Sequence, residues 1–130
     1  MYQATTRGVR VTVQPQFMED RSAPEQNRYF WAYTIEISNL GKTQIQLRSR
    51  YWRITDAQGH VEEVRGPGVV GEEPVLKPGA SFTYTSGCPL STPSGIMAGT
   101  YQMEDRQGTQ FDVEVPAFSL DSPYQARRMN

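Results

Sequence analysis

Apolar and polar side chains alternate along most of this chain, and this two-residue period is the feature that most restricts its fold. Successive side chains of a strand point to opposite faces, so each alternating segment predicts a strand with one buried face. No segment shows a convincing helical period. The strongest segment is residues 28–39, in which one face would carry Tyr29, Trp31, Tyr33, Ile35 and Ile37.

Similar short segments recur along the chain, separated by stretches rich in glycine and proline. Pro15 and Pro116 are predicted to end strands, and residues 66–79 and 87–99 are predicted to be long loops. The alternation slips between Leu47 and Trp52, which indicates either a β-bulge or a strand buried on both faces. We therefore predict an antiparallel, immunoglobulin-like β-sandwich of seven or eight strands, with a small closed barrel as the alternative. The predicted strands are residues 9–14, 28–39, 44–55, 60–65, 81–86, 100–106, 110–115 and, as an eighth, 117–120.

Length and composition restrict the domain organisation and the classes of function. The 130 residues predict one domain, with a core over residues 6–120 and a polar tail over residues 121–130. One cysteine and one histidine exclude an internal disulfide and a His/Cys metal site. The net charge of −1 gives no general attraction to nucleic acid or to a membrane surface. Without a leader pattern or a long apolar segment, and with a free thiol, we expect a cytoplasmic protein.

Eleven of the thirteen basic residues are arginine, because Lys42 and Lys77 are the only lysines. Arg48, Arg50 and Arg53 lie close together around an aromatic pair. Such a cluster is typical of a nucleic-acid surface or of a strand face covered by long amphipathic side chains. The net charge favours the second interpretation, so we expect no nucleic-acid partner.

The segment from Gly66 to Gly71 has the spacing G-x-G-x-x-G. A dinucleotide-binding fold would require a helix directly after it, and the two glutamates and two prolines that follow exclude a long helix. Two interpretations remain. The loop presents backbone N–H groups to an anion beside Arg65, or the glycines serve only the path of the backbone. The second interpretation is favoured.

Other candidate chemical groups lack partners. His60 follows a turn glycine and is expected to be solvated, and Cys88 is expected to be a small loop residue without a base. Adjacent carboxylates on a strand face opposite sides, so weak Mg²⁺ binding is the most that these pairs support. We expect no catalytic set, no metal site and no cofactor, and hence no enzyme. The carboxylate pairs are Glu19-Asp20, Glu62-Glu63, Glu72-Glu73 and Glu104-Asp105.

Three motifs together are more specific than the glycine spacing alone. They are RGxGVVGxxP, LxPGxxFxYTSG and TPxGxMxGxYxM, and with their flanks over residues 6–120 they resemble the ApaG family. The resemblance implies an immunoglobulin-like or fibronectin-III-like sandwich without a settled activity. It also implies a link by phenotype to cobalt and magnesium tolerance, and use as an interaction module in eukaryotic relatives.

A pyrophosphate-binding role has been suggested for the glycine motif of that family. By the resemblance, the role falls here on Arg65, Gly66, Gly68, Gly71 and Pro74. This chain departs from the pattern in having Val64 where many relatives have a polar residue or histidine. The two glutamates after Gly71 also add negative charge.

Two hypotheses of function follow. The first is a non-catalytic binding module for a protein partner, offered through an exposed sheet edge or a loop patch. The alternative is a sensor that binds pyrophosphate or a nucleoside polyphosphate at residues 65–71. An exposed edge strand leaves both a monomer and an edge-to-edge dimer open.

Overall fold

The computed structural model describes residues 1–124, and these form nine strands and two short 3₁₀ helices. The last part of the predicted polar tail, residues 125–130, lies outside the described residues. No helix in the described part of the chain is long and apolar enough to cross a membrane. The strands are β1 (Tyr2–Thr6), β2 (Val9–Phe17), β3 (Tyr29–Asn39), β4 (Ile45–Asp56), β5 (Val61–Pro67), β6 (Val75–Leu76), β7 (Ser81–Leu90), β8 (Gly95–Asp105) and β9 (Gln110–Leu120), and the 3₁₀ helices are Glu19–Arg21 and Pro24–Gln26.

The strands form two antiparallel sheets packed as a sandwich. One sheet has the order β1-β2-β3-β7, and the other has the order β5-β4-β8-β9 with β6 added beside β4. The predicted all-β sandwich is therefore confirmed, with nine strands instead of seven or eight. The two extra strands are β1, whose alternation is weak, and β6, which has only two residues.

The core lies between the facing sides of the two sheets. All five apolar residues predicted on one face of β3 are buried there. Trp52 of β4 packs edge-on against Tyr33 of β3 and Phe118 of β9, with ring centroids 5.6 and 6.2 Å away. Of the two interpretations of the slip in β4, the structure shows the bulge, because the pairing with β8 shifts between Leu47 and Ser49.

The two prolines predicted to end strands do not do so. Strand β2 continues through Pro15 to Phe17, and β1 has already stopped pairing at Val13, so the proline nitrogen can face an open edge. Pro116 lies where the pairing of β8 with β9 shifts, and a bulge tolerates a residue without an N–H.

Residues 87–99 were predicted to be a loop, and this prediction was wrong. Strand β7 runs to Leu90 and β8 begins at Gly95. Glycines occur here because neighbours approach closely: a Cβ at Gly87 would lie 2.2 Å from the Phe30 ring, and one at Gly99 would lie 2.2 Å from the Tyr51 carbonyl oxygen. These glycines mark close packing within strands rather than a loop.

The two long sides of the sandwich differ. On one side, the Glu114 amide of β9 donates to the Thr6 hydroxyl of β1 at 3.1 Å, and the Ser119 amide donates to the Tyr2 hydroxyl at 3.3 Å. On the other side, β7 is the outer strand of its sheet and β5 the outer strand of the other. A cleft opens between these two edges.

Candidate functional site

The glycine motif spans the end of β5 and a tight turn rather than one long loop. Gly66 and Pro67 belong to β5. Val69 and Glu72 then exchange backbone hydrogen bonds of 2.8 and 2.9 Å. The two residues between them have positive φ, 45° at Val70 and 83° at Gly71, as in a type I′ turn. This segment is called the 69–72 turn below.

Each glycine of the motif meets a different structural demand. A Cβ at Gly66 would lie 3.1 Å from both terminal nitrogens of Arg50, so the missing side chain makes room for that guanidinium. Gly68 has a φ of +58°, and its Cβ would lie 2.3 Å from the Glu72 carbonyl oxygen. Gly71 needs only its positive φ, since its Cβ would meet open space. The Leu47 amide donates to the Pro74 carbonyl at 3.0 Å, and this bond holds the chain beside β4.

The Arg65 side chain lies away from the glycines with which the sequence grouped it. Arg65 pairs across the sheet with Tyr51, and its guanidinium lies 4.3 Å from the centre of that ring. The Tyr51 hydroxyl donates to the Glu63 carboxylate. These residues are on the outer face of the sheet, whereas Arg50 and Trp52 are on the face toward the core. The structure therefore separates Arg65 from the inner side of the 69–72 turn.

Arg50, and not Arg65, is the arginine whose side chain contacts the glycine motif. Its Nη1 donates to the carbonyls of Pro67 and Gly68, each at 2.9 Å. In the sequence, Arg50 stands out only as one member of an arginine cluster. Its parity with Trp52 two residues later was the available signal that it faces inward. The other two cluster members are exposed, and Arg48 pairs with Glu73 at 3.3 Å.

The opening between β5 and β7 contains two adjoining cavities of about 370 and 250 Å³. We name the space that they form the inter-sheet cleft. Side chains from both sheets line it, and the sequence analysis did not identify it. Four residues border both cavities, which makes the space continuous: Tyr33, Arg50, Trp52 and Ser86.

Three buried tyrosines, Tyr33, Tyr84 and Tyr101, lie at or beneath the inter-sheet cleft and are called the cleft tyrosines. The hydroxyls of Tyr84 and Tyr101 are hydrogen-bonded to each other. Burial in the low-dielectric core raises the pKa of all three phenols above the ordinary value. They are therefore protonated at neutral pH and present O–H groups rather than negative charge.

The chain's one cysteine and one histidine were the other candidates for chemical function. Cys88 was predicted to lie in a loop, and this prediction was wrong: the residue lies buried on β7 and lines the cleft. Burial raises the pKa of its thiol to about 11, with a smaller contribution from Glu62. His60 is exposed as predicted, with its Nδ1 3.3 Å from an Asp56 carboxylate oxygen. Among residues 1–124, no group of three or more histidine, cysteine, aspartate or glutamate side chains could hold a metal ion.

Comparison with known proteins identifies relatives over the whole chain. The ApaG domain matches residues 19–105. Protein ApaG from Azorhizobium caulinodans is 64% identical and that from Brucella anthropi 61% identical, each over 130 residues and all of both chains. A crystal structure of the putative ApaA protein from Bordetella pertussis superposes with a TM-score of 0.87 and 43% identity, covering 96% of this chain and all of that one.

Proposed function

Because this chain belongs to the ApaG domain family, whose fold it shares throughout, we propose that it is a non-catalytic binding module for a protein partner. The partner would be an extended segment that adds to the sandwich as a further strand. Main-chain hydrogen bonds would supply affinity in this mode, and alternate side chains would supply specificity.

The observation that supports this proposal is the composition of the β7 edge. Strand β7 has ten residues, SFTYTSGCPL, without a single charge and with its one proline, Pro89, next to its end, and within residues 1–124 it pairs only with β3. Exposed edges are usually protected from further pairing by charged side chains, by prolines or by brevity. Strand β5, the edge across the cleft, has such protection in Glu62, Glu63 and Arg65. The long, uncharged β7 edge is therefore the one suited to accept a strand.

The same arrangement gives an indirect account of the family link to cobalt and magnesium tolerance. The described residues contain no cluster of metal-ligating side chains. A metal phenotype would then arise through the protein that binds at β7. The raised pKa of Cys88 argues against thiolate chemistry at this residue, because the chain's one thiol is almost wholly protonated at neutral pH.

A charged residue on β7 tests the proposal. Thr83→Lys places a cation on the exposed edge, directly across from Glu36 of β3, so the sandwich itself should keep its stability. The matched control is Thr12→Lys, because Thr12 flanks the same Glu36 from the β2 side, inside the sheet. A photocrosslinking side chain at Thr85 would report contacts at the edge in the producing cells.

We expect crosslinked adducts from position 85 that Thr83→Lys abolishes and Thr12→Lys preserves. An adduct of twice the chain mass would identify the partner as a second copy, and sedimentation would check it. Adducts that persist in Thr83→Lys, or that form equally well from a crosslinker at Thr12, would contradict binding at the β7 edge.

A sensor of pyrophosphate or a nucleoside polyphosphate at residues 65–71 is the second candidate. One observation favours it: the Val70 and Gly71 amides donate to no acceptor among the described residues. The outward Arg65 and the nearby Glu72 and Glu73 weaken it.

The structure shows which glycine variants can test pyrophosphate binding at this turn without disturbing its backbone. Gly68→Asp would disturb the turn, because a Cβ there collides with the Glu72 carbonyl oxygen. Gly71→Asp adds charge without a collision, and Gly59→Asp is its control, since both glycines have positive φ and open space. Pyrophosphate binding, followed by amide NMR shifts, should be lost only in Gly71→Asp. Equal affinity in both variants would exclude the turn as the binding site.

A further inference from the structure

We propose that the inter-sheet cleft binds a small organic anion, whose carboxylate or phosphate group contacts Arg50. This site lies inside the sandwich, on the opposite face of its sheet from the Arg65 side chain, and it does not depend on a partner at β7. Four features of the cleft support it: unused donors, uncompensated charge, the direction of a buried proton, and an apolar wall of suitable size.

The guanidinium of Arg50 has donors that the protein does not use. Both N–H groups of Nη1 are satisfied by the carbonyls of Pro67 and Gly68. A guanidinium has five N–H groups. The remaining three have no acceptor among the described residues, although Arg50 is half-buried and lines both cavities. A planar pair of free N–H groups is suited to bind two oxygens of a carboxylate or phosphate.

The positive charge of Arg50 is also uncompensated. The ion pairs of the described residues are Arg48 with Glu73 and His60 with Asp56, and neither includes Arg50. Glu62 borders the smaller cavity but makes no ion pair with Arg50. An anion would therefore be attracted to the larger cavity, at the end formed by the 69–72 turn, where none of the described lining residues is a carboxylate.

The hydroxyl groups of the cleft add donors on the same side. Tyr101 is completely buried, and the Tyr84 hydroxyl is its hydrogen-bond partner. Either hydroxyl of this pair could be the donor, but an unsatisfied buried O–H is costly, which favours donation from Tyr101 to the Tyr84 oxygen. Tyr84 is then free to direct its own proton toward the larger cavity, which it lines together with Tyr33 and Ser86. An acceptor-rich group fits these donors better than a cation does.

The rest of the larger cavity is suited to a carbon skeleton. Trp52 and Val69 form its buried wall, and Pro67 and Val70 form its rim. Its volume of about 370 Å³ falls within the range of small-molecule sites, roughly 300–1,000 Å³. Val70 is held at the rim by a positive φ that a β-branched residue rarely adopts. The combination of an apolar wall and one cationic end indicates an organic anion rather than a bare inorganic one.

The two tryptophans provide a reporter and an internal reference. Trp52 lines the cleft, whereas the indole N–H of Trp31 donates to the Asp121 carbonyl at 2.7 Å. Indole and arginine Nε signals of ¹⁵N-labelled protein would be followed during titration with benzoate, phenyl phosphate, inorganic phosphate and the neutral analogue benzamide. We expect benzoate or phenyl phosphate, at millimolar concentration, to shift the Trp52 and Arg50 signals and leave Trp31 unchanged. Which of the two binds more tightly distinguishes a carboxylate ligand from a phosphate ester.

The matched variants are Arg50→Gln and Arg53→Gln. Both remove one positive charge from β4, but Arg53 is exposed on the outer face. Loss of charged hydrogen bonds predicts an affinity about tenfold to hundredfold weaker for Arg50→Gln and unchanged for Arg53→Gln. Ser86→Ala, which leaves the Arg50 anchor intact, should weaken binding several-fold and keeps the test open if Arg50→Gln does not fold.

Several outcomes would overturn the proposal. If benzamide binds as tightly as benzoate, the site does not require a negative charge. If inorganic phosphate binds as tightly as phenyl phosphate, the apolar wall does not contribute to binding. The probes would be tested up to about 20 mM, where a binding free energy of about 2–3 kcal/mol is still detectable. If no probe shifts the Trp52 or Arg50 signals of the unmodified protein at that concentration, the cleft is not a binding site. Equal weakening by the two arginine variants would show a general charge effect.

Discussion

The first glycine of the motif provides a sharp test of how Arg50 holds the end of β5. In Gly66→Ala, the new methyl carbon would lie 3.1 Å from both terminal nitrogens of Arg50 and 3.2 Å from its Cζ. The guanidinium must retreat by a few tenths of an ångström, which strains its 2.9 Å bonds to the Pro67 and Gly68 carbonyls. The backbone at Gly66 does not have a positive φ, so it accepts alanine without strain.

Two opposing effects set the magnitude. Weakening the two half-exposed charged hydrogen bonds should cost about 1–2 kcal/mol of the free energy of unfolding. Reduced entropy of the unfolded chain should return about 0.4–1 kcal/mol. We therefore expect Gly66→Ala to destabilise the protein by roughly 1 kcal/mol, or a few degrees in Tm. In an Arg50→Ala background the cost disappears, and the same change should stabilise by about 0.5 kcal/mol.

Urea unfolding followed by tryptophan fluorescence would measure all four proteins of this double-mutant cycle. The expected coupling is about 1.5 kcal/mol. A parallel cycle with Arg53→Ala is the control and should show no coupling, because Arg53 is exposed on the other face of β4. If Gly66→Ala has the same effect with and without Arg50, the reasoning is refuted, and the glycine must be required for something other than the guanidinium.

Three further predictions concern stability and reactivity. Gly68→Ala should cost about 1–3 kcal/mol more than Gly71→Ala in urea unfolding, because both have positive φ but only Gly68 also collides with backbone; equal costs would contradict the collision. The cleft tyrosines have raised pKa values when folded, so the stability that they contribute is complete below pH 10 and is lost as the pH rises above it. Together they should lower the free energy of unfolding as the pH rises above about 10, and no single tyrosine should contribute more than about 1.4 kcal/mol per pH unit. The ordinary pKa of a tyrosine is about 10. A free energy of unfolding that does not change between about pH 10 and pH 11 would argue against burial of these three phenols. Cys88, with a pKa of about 11, should react with a thiol reagent at pH 8 far more slowly than free cysteine, since only about one thiol in a thousand is ionised. Denaturation should restore a normal rate.

The sequence predicted the fold class because a strand's period appears directly in residue order. The inward face of β3 was readable from alternation alone, and the slip in alternation after Leu47 marked the region of the bulge without distinguishing it from a strand buried on both faces. Strand ends were predicted less well, since glycine and proline occur both in loops and at close contacts or bulges within strands. Gly87 and Pro116 suggested loops, whereas one lies under a neighbouring ring and the other lies at a bulge.

The candidate site could be predicted only in part. The glycine motif was visible, and its 69–72 turn does carry two amides without an acceptor in the described part of the chain. Arg65 was grouped with it because the two are adjacent in sequence, but adjacent residues of a strand face opposite sides. Arg50 reaches the motif instead because β4 and β5 pair so that Arg50 lies across from Gly66.

Residue order alone was therefore enough to predict a two-layered β structure with a buried aromatic face, because that information is local and periodic. The surroundings of the inter-sheet cleft follow only from the arrangement of the strands in space. Its walls come from β3, β4, β7 and the end of β5, which lie far apart in the chain. Strand order and register bring them together, and these depend on packing between distant segments rather than on any short pattern.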